Sequence, residues 1–344
     1  MDLLAQVLTV SGVRGTVGAR IAAGETWGVW WTGIPGAAFH AVTAGVAWLG
    51  MPGRPPIKLM PGDVVLLPTG TEHSLASEPD AVVRSCDHAA ADRARADGGV
   101  LKFGAGKVQT HILCASYEHD PAVSIQILRS LPEIVHIRAD YGASCLGDTV
   151  RLLARELAHP QIATEVVLNS LVDILLVQLL RVWLVSEPAT AESSWLGVLS
   201  DPVISGALAK LHEDPARAWT TATLAAEVDV SRATLSRRFP AVVGQTPGGY
   251  LTRWRMDLAA LRLRDTDDDL DTIAASVGYT SVYAFSRAFS RARSQPPGRY
   301  RIMSRVQSQN RSCSRDDGQS AVNSAKGQNS GLLPKDRRRG CRSR

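Results

Sequence analysis

The chain has 344 residues, 45% of them hydrophobic, and a formal net charge of +5. The length predicts two domains with tails, and the hydrophobic share is that of a globular protein. The five cysteines include no CxxC pair and fill no disulfide framework, which excludes a disulfide-stapled scaffold and favours a reducing cytosol.

The charge is divided unevenly along the chain. Residues 1–200 carry 14 basic and 19 acidic side chains, residues 201–302 carry 14 and 11, and residues 303–344 carry 10 and 3. A polyanion, if one is bound, is therefore expected at the second half of the chain. A solvated surface that binds no polyanion remains the alternative, since residues 201–302 have only a small excess of basic over acidic side chains.

Residues 1–140 have the pattern of an all-β sandwich or barrel. Short β-branched and aromatic runs such as WGVWW and DVVLLP alternate with Gly and Pro. A polar stretch over residues 87–106 predicts a long loop. The chain has an acid at position 2 and no basic leader before an apolar run, so we expect no secretory signal.

Residues 141–194 are predicted to form helices and a linker. The run VVLNSLVDILLVQLLRVWLV, residues 166–185, is long enough to cross a bilayer. It contains Asp173 and Arg181, however, and one charge at a bilayer centre costs about 2.5–3.5 kcal/mol. We therefore predict no membrane contact. The segment is expected to be a buried helix or to form the seam of a homodimer.

Residues 195–303 contain two copies of one helical sequence motif. The segments LAAEVDVSRATLSRRF, residues 224–239, and IAASVGYTSVYAFSRAF, residues 273–289, align with one extra residue after the second turn. Each copy predicts a helix, a tight turn, a capping residue and a second helix, which together make a helix-turn-helix. The predicted caps are Ser231 and either Ser281 or Thr280, and the predicted turn residues of positive φ are Asp229 and Gly278.

The second helix of each copy has an apolar face and a polar face. The polar face carries Arg among Ser, Ala and Tyr, which suits a helix lying in the DNA major groove, where Arg can contact guanine with two hydrogen bonds. One such helix could equally be a solvated surface, but two matching copies favour DNA. The predicted DNA-binding residues are Ser231, Arg232, Ala233, Ser236, Arg237, Ser281, Val282, Tyr283, Ser286, Arg287 and Arg291.

A long helix is predicted between the two copies. The helix is expected to start after Pro247 in the segment TPGGYLTRWRMDLAALRLRDT, which has an apolar stripe. A rod of this length can hold two reading helices about 34 Å apart, which is one turn of DNA.

Together with the closing PPGRYR, these motifs resemble the DNA-binding domain of the AraC/XylS family of bacterial transcription regulators over residues of about 200–302. The resemblance implies that the second helix of each copy reads bases. Its base-reading positions would be Ala233, Ser236 and Arg237 in the first copy and Val282, Tyr283 and Arg287 in the second. Two residues depart from the family pattern, because Asp229 and Ser294 stand where Gly is usual.

The first half carries one cupin motif and the remains of another. PGDVVLLPTGTEHSL places Gly62, Pro68, Gly70 and His73 as in the second motif of cupin β-barrels, which it resembles. The first motif keeps only His40, with Val42 at the second His position and no Glu after it. The metal-binding set that a catalytic cupin needs is therefore incomplete, and we predict no metal and no cofactor.

Three side chains could still converge inside the barrel. His40, His73 and Cys114 are the predicted effector-pocket residues, and such a set could also hold zinc. Ordinary core packing is the alternative for all three. Oxidant sensing by Cys86 and Cys114 is another.

These patterns predict an α+β multidomain protein, with an all-β cupin-like barrel followed by helices and then an all-α domain holding two helix-turn-helix motifs joined by a long helix. The predicted domains are a cupin-like effector-sensing barrel over 1–140, a helical dimerisation segment and linker over 141–194, the DNA-binding domain over 195–303 and a basic disordered tail over 304–344.

The predicted function is sequence-specific transcription regulation without enzymatic activity. The expected partners are double-stranded promoter or operator DNA, a small-molecule effector or stress signal, and a second copy of the chain, all in the cytoplasm. The alternative is a cupin-type metal enzyme or a reactive-cysteine protein fused to a DNA-binding domain.

Overall fold

The computed structural model describes residues 3–33, 36–86, 100–118, 128, 131–139, 144–159, 161–188 and 195–306. Strands dominate the first part of the chain. They are β1 (Arg14–Ala23), β2 (Gly28–Trp31), β3 (Ala37–Ala44), β4 (Ala47–Gly50), β5 (Ile57–Leu59), β6 (Val64–Leu67), β7 (His73–Ala76), β8 (Arg84–Ser85), β9 (Val100–Phe103), β10 (Thr110–Glu118) and β11 (Val135–Ile137).

Two elements differ from the sequence prediction. A helix, α1 (Leu3–Ser11), precedes the strands, where only strands and turns were expected. Its apolar residues cover little more than two turns, which is too short for a helical period to stand out from a strand. The predicted loop over residues 87–106 contains β9, and its residues 87–99 lie outside the described part of the chain.

The strands form two sheets. One has the order β11-β6-β3-β10-β1-β9 and the other the order β5-β4-β7-β2-β8. Neighbours pair antiparallel except β1 with β9 and β2 with β8, which pair parallel. The sheets are therefore mixed, and strands distant in sequence, such as β3 and β10, lie side by side.

The six-stranded sheet is buried on both faces. On β3, Ala38 and Val42 belong to the apolar cluster shared with the five-stranded sheet, whereas Phe39 and Ala41 belong to the cluster shared with the helices. Alternate side chains of a strand point to opposite faces, so two covered faces need apolar residues at every position. This explains the unbroken run VVLL of β6.

Two helices follow the sheets, α2 (Ser144–Ala158) and α3 (Thr164–Ser186). By length and composition α3 is apolar enough to cross a membrane, but one face is buried against β1, β11 and α2. The Tyr117 hydroxyl donates to the carbonyl of Val172 at 2.8 Å, and Asp173 accepts from the backbone N–H of Gly15 at 2.7 Å. Its buried residues are Leu168, Leu171, Val172, Leu175, Leu176, Leu179, Leu180 and Trp183.

The remainder of the described chain is helical. After a 3₁₀ turn (Trp195–Ser200) come α4 (Pro202–Glu213), α5 (Thr221–Glu227), α6 (Arg232–Val243), α7 (Pro247–Asp265), α8 (Leu270–Ser276), α9 (Val282–Arg293) and α10 over residues 297–306. Residues 304–306 of the predicted disordered tail are therefore helical, and residues 307–344 lie outside the described part.

Pro240 lies inside α6 and does not end it. Helix α6 runs through Pro240 and ends at Gly244, which adopts the left-handed conformation at φ 77° and donates its N–H to the carbonyl of Pro240. A proline removes one hydrogen bond from a helix but allows it to continue with a kink. A glycine in the left-handed region stops it.

Residues Met1–Arg301 form one compact unit, with residues 302–344 assigned to a second. Within the first unit, the core of α5 and α6 is continuous with the core under the six-stranded sheet. The core of α8 and α9 is a separate cluster that includes Phe285, Phe289 and Tyr300.

Candidate DNA interface and sensor site

The first helix-turn-helix is set by local hydrogen bonds. Thr220 and Thr223 form a capping box at the start of α5, and Ser231 caps α6 by accepting from the N–H of Thr234 at 3.0 Å. Asp229 lies between them at φ 54°. The predicted cap and the predicted positive φ are both confirmed, and they fix the direction in which α6 leaves the turn.

The second helix-turn-helix repeats this arrangement. Asp269 caps α8 by accepting from the N–H of Thr272 at 2.7 Å, and Gly278 forms the turn at φ 79°. Ser281, not Thr280, caps α9, since its hydroxyl accepts from the N–H of Ala284 at 3.4 Å. Both turns therefore have a residue of positive φ followed by a serine cap, with one more residue between the two in the second copy.

Each second helix buries one face and exposes the other. Leu235 and Phe239 of α6 and Phe285 and Phe289 of α9 are 0% exposed. The predicted DNA-binding residues that are exposed are Ser231, Arg232, Ala233, Ser236, Arg237, Ser281, Tyr283, Arg287 and Arg291. Val282 and Ser286 are half-buried, and Val282 packs against the second core.

The arginines of these exposed faces differ from four other arginines of the same helical domain. Arg238, Arg262, Arg264 and Arg293 each form an ion pair with an aspartate. No ion pair of the described residues involves the exposed-face arginines, which are Arg232, Arg237, Arg287 and Arg291. Their guanidinium groups are thus available to phosphate oxygens or base edges.

Arg287 and Tyr283 form a pair on the surface of α9. The guanidinium carbon lies 5.7 Å from the centre of the Tyr283 ring, and Tyr283 is 71% exposed. Residues four positions apart lie on one helix face. The ring therefore flanks the guanidinium at the surface where DNA would lie, and it restricts the orientations of the longer side chain.

A network between α1 and the DNA-binding half was missed by sequence reasoning. The His212 ring contacts Gln6 Oε1 through Nδ1 at 3.2 Å and the Tyr250 hydroxyl through Nε2 at 2.7 Å, and it stacks on Trp254 with ring centres 3.7 Å apart. Gln6 and His212 are 206 positions apart, and no local pattern relates them.

Burial lowers the pKa of His212 to about 3, so the ring is neutral. One ring nitrogen then donates and the other accepts. The Gln6 carbonyl oxygen can only accept, so His212 Nδ1–H donates to it and Nε2 accepts from the Tyr250 O–H. The network joins the first helix of the chain to α4 and α7.

The structure brings His40, His73 and Cys114 together between the two sheets. His40 and Cys114 are paired across β3 and β10, and His40 Nδ1 lies 3.2 Å from the Cys114 sulfur. His40 Nε2 lies 2.9 Å from His73 Nε2, and Trp31 stacks on the His73 ring at 5.1 Å. His40 and His73 are 2% and 0% exposed.

The three side chains form a neutral hydrogen-bonded chain. Burial lowers the pKa of both histidines and raises the pKa of the Cys114 thiol, which keeps all three groups uncharged. His73 Nδ1–H donates to the carbonyl of Thr71 at 2.7 Å, so His73 Nε2 accepts from His40 Nε2–H. His40 Nδ1 then accepts from the thiol, and every polar hydrogen has an acceptor.

This geometry does not suit one metal ion shared by the three groups. The two nitrogens of His40 face opposite partners, so His73 and Cys114 lie on different sides of one ring. Ligands of a tetrahedral zinc site must instead converge on one point. No group of three His, Cys, Asp or Glu side chains arranged for a metal occurs in the described ranges.

Comparisons with known proteins agree with this division. The family described as Cupin matches residues 2–185, and the family described as Helix-turn-helix domain matches residues 224–303. An AraC-like transcription regulator of Streptomyces lividans is 39% identical over 303 residues, which cover 88% of this chain and 98% of that protein. Another from Streptomyces antibioticus is 37% identical with the same coverage.

Among solved structures, the DNA-binding domain of AdpA in complex with a target DNA is 30% identical, with a TM-score of 0.30, over 31% of this chain and 96% of that chain. The long relatives match both halves of the chain in one continuous alignment. With its cupin region followed by a helix-turn-helix DNA-binding domain, the chain belongs to the AraC-like transcription regulators.

Proposed function

We propose that α6 and α9 enter successive major grooves of an operator and that Arg237 and Arg287 read bases there. The observation that carries the proposal is that both helices bury an apolar face that includes Phe and expose arginines that form no ion pair among the described residues. Ser231, Ser281 and Arg291 lie at the edges of these faces, where phosphate contacts are expected. Ala233, Ser236, Val282, Tyr283 and Ser286 complete the reading surface, with Arg232 beside it.

Binding to DNA fragments upstream of the chain's own gene and its neighbours tests this proposal. We expect a sequence-selective complex that survives removal of residues 304–344. Arg237→Ala or Arg287→Ala should each cost about 1–3 kcal/mol and relax specificity at one base. Arg253→Ala is the charge-matched control, because Arg253 is exposed on α7 and not on a reading helix.

Uniform weakening on all sequences would assign these arginines to phosphate contacts and contradict base reading. Sequence-blind binding that disappears with high salt or with the tail would contradict the proposal as a whole.

We propose that the cupin domain biases DNA binding by preferring an effector in one of two conformations. His40, His73 and Cys114 form the proposed sensing site, since a ligand that hydrogen-bonds to either ring nitrogen of His40 would break the chain that links all three. The contact between Gln6 and His212 joins the cupin half to α4, which packs against both helices of the first helix-turn-helix.

A reporter gene driven by the operator, in cells grown under different stresses and carbon sources, tests the sensing site. Cys114→Ser and His40→Gln should change the induced level while the operator is still bound. Cys145→Ser is the control, because Cys145 is exposed at the start of α2. An unchanged response in both sensor variants would contradict this assignment.

We also propose that the protein acts as a cytoplasmic homodimer. Val166, Ile174 and Val185 of α3 are 67%, 46% and 83% exposed, although α3 buries its other face. A second copy would cover such an apolar face. Sedimentation should show a dimer at micromolar concentration that Ile174→Glu dissociates. A monodisperse wild-type monomer would contradict the proposal.

Finally, we propose that the chain has no catalytic role. Its long relatives are transcription regulators, and the raised pKa of Cys114 disfavours the thiolate that a reactive-cysteine protein needs. Metal analysis of purified protein provides the test, because stoichiometric iron or manganese would support the cupin-type enzyme instead.

A further inference from the structure

The loop between α4 and α5 leads directly into the first helix-turn-helix and is held by hydrogen bonds of its own. The side chain of Asp214 accepts from the N–H of Arg217 at 3.1 Å, and its carbonyl accepts from Trp219 Nε1 at 2.8 Å. The Arg217 guanidinium lies 4.1 Å from the centre of the Trp219 ring. These contacts hold the carbonyls of residues 215–217 in fixed positions.

Arg255, near the middle of α7, binds two of these carbonyls. Its Nε donates to Pro215 O at 2.6 Å and one terminal nitrogen donates to Arg217 O at 2.9 Å. The same guanidinium lies 5.9 Å from the centre of the Tyr279 ring, which belongs to the turn of the second copy. One side chain therefore contacts both the loop that leads into the first helix-turn-helix and the turn of the second.

The second turn also approaches this loop directly. A Cβ added at Gly278 would lie 2.5 Å from the carbonyl oxygen of Ala216 and 2.7 Å from a terminal nitrogen of Arg255. Even alanine would therefore require a backbone shift at this point. Glycine is needed at position 278 for the approach of the two units as well as for the turn's φ of 79°.

We propose that Arg255 is a positioning residue that clamps the two helix-turn-helix units into one rigid body and so fixes the spacing between the two half-sites of the operator. This inference rests on the proposed reading of DNA by α6 and α9. Helix α7 has 19 residues and is about 28 Å long, and each unit packs against its own half of it, the first on Trp254 and the second on Ala260 and Leu263. The clamp adds a direct contact across the middle of α7, so that the relative orientation of the units no longer depends on the helix alone.

Spacing is a sensitive readout of such rigidity. One added base pair moves a half-site by about 3.4 Å and rotates it by about 35° around the DNA axis. A rigid reader would lose one set of contacts on such a site, whereas a reader with a hinge would keep both. A residue that only stabilises the fold would weaken binding at every spacing alike.

Selection of binding sites from random DNA provides the test, followed by affinity measurements on the selected site with one base pair added between its halves. The proteins are wild type, Arg255→Ala, Arg255→Lys and Arg262→Ala. Lysine keeps the charge but lacks the fork that spans two carbonyls. Arg262→Ala is the control, because Arg262 lies on the same helix and pairs with Asp268 inside the second unit.

Wild type and Arg262→Ala should select one spacing and lose on the order of tenfold or more in affinity on the added base pair. Both Arg255 variants should select several spacings, with the sequence of each half-site unchanged. Their affinity should fall by less than about threefold on the site with one added base pair. A single spacing and the full loss in the Arg255 variants would overturn the proposal. If circular dichroism shows that Arg255→Ala is unfolded, the spacing selected by Arg255→Lys and its loss of affinity on the added base pair test the proposal instead. A wild type that selects no paired site would instead contradict the proposed function, and the clamp with it.

Discussion

The two helix-turn-helix units present the same kind of face to solvent but are attached to the molecule differently. The first shares its core with the sensor half, since Leu235 and Phe239 belong to the cluster that also contains Leu3 and Val7 of α1. The second packs Phe285 and Phe289 in a cluster that, among the described residues, contains no residue before Met256. A change in the cupin half can therefore reach the first unit directly, whereas it reaches the second through α7 and through the contacts of Arg255 and Gly278 with the loop before α5.

The units also differ in where each uses glycine. The first has Asp229 at its turn and Gly244 after its second helix, with φ values of 54° and 77°. The second has Gly278 at its turn and Ser294 after its second helix, with φ values of 79° and 57°. The Asp229 side chain is exposed to solvent, whereas a side chain at position 278 would collide with the carbonyl oxygen of Ala216. The departures from the family pattern thus occur where a side chain can be accommodated.

The largest effect is expected from removing the central ring of either unit. Phe239→Ala and Phe285→Ala should each destabilise the unit concerned by about 3–5 kcal/mol, because both rings are fully buried. Hydrogen exchange followed by mass spectrometry should show faster exchange of α1 and α4 in Phe239→Ala, since these helices share the core of Phe239. In Phe285→Ala, only α8, α9 and their neighbours should exchange faster.

Faster exchange of α1 in Phe285→Ala would show that the two units unfold as one. Unchanged exchange of α1 in Phe239→Ala would show that the sensor is not coupled to the first unit. Either result would contradict the conclusion that the first unit shares its core with the cupin half and the second does not.

A pH dependence is expected from the link between α1 and the first unit. The pKa of His212 is about 3 in the folded protein and about 6.5 in an unfolded chain, so the unfolded chain alone binds a proton between these values. The free energy of unfolding contributed by this ring is complete above about pH 6.5 and is lost as the pH falls toward 3. At pH 5 the loss is about 2 kcal/mol.

Urea unfolding of wild type and His212→Gln at pH 7 and pH 5 measures this loss. The stability difference between the two pH values should be smaller in His212→Gln. His159→Gln is the control, because His159 is exposed, while His40 and His73 contribute alike to all three proteins. If the stability difference between pH 7 and pH 5 is equal in wild type and His212→Gln, His212 does not resist protonation in the folded protein.

The smallest effect is expected at the two residues that adopt positive φ without being glycine. Asp229→Gly and Ser294→Gly should each raise the free energy of unfolding by about 0.5–1 kcal/mol, because relief of left-handed strain exceeds the added entropy of the unfolded chain. Gly244→Ala should change stability in the opposite direction, since its Cβ would meet no atom and only the φ of 77° opposes it. Destabilisation by both glycine variants would indicate that the side chains themselves hold these turns. Thermal unfolding measures all three.

The parts of the fold that depend on near neighbours could be predicted from the sequence. The caps Ser231 and Ser281 and the positive φ of Asp229 and Gly278 depend on residues within one turn, and all four were confirmed. The buried Phe239 and Phe289 followed from the helical period for the same reason.

Contacts between distant segments could not be predicted in this way. The hydrogen bond between Gln6 and His212 and the bonds from Arg255 to the loop at Pro215 depend on how whole elements pack. His40 and Cys114 were expected to meet, but the opposite directions of the two His40 nitrogens depend on strand register and ring orientation. Composition and spacing do not contain that information.

The base-by-base specificity of wild type, Arg237→Ala and Arg287→Ala on a selected operator tests the central claim most directly. We expect two half-sites about one DNA turn apart, with Arg237→Ala relaxing one base in the first and Arg287→Ala one base in the second. Loss of specificity in the same half-site for both variants, or in neither, would contradict a protein that reads DNA with two helices.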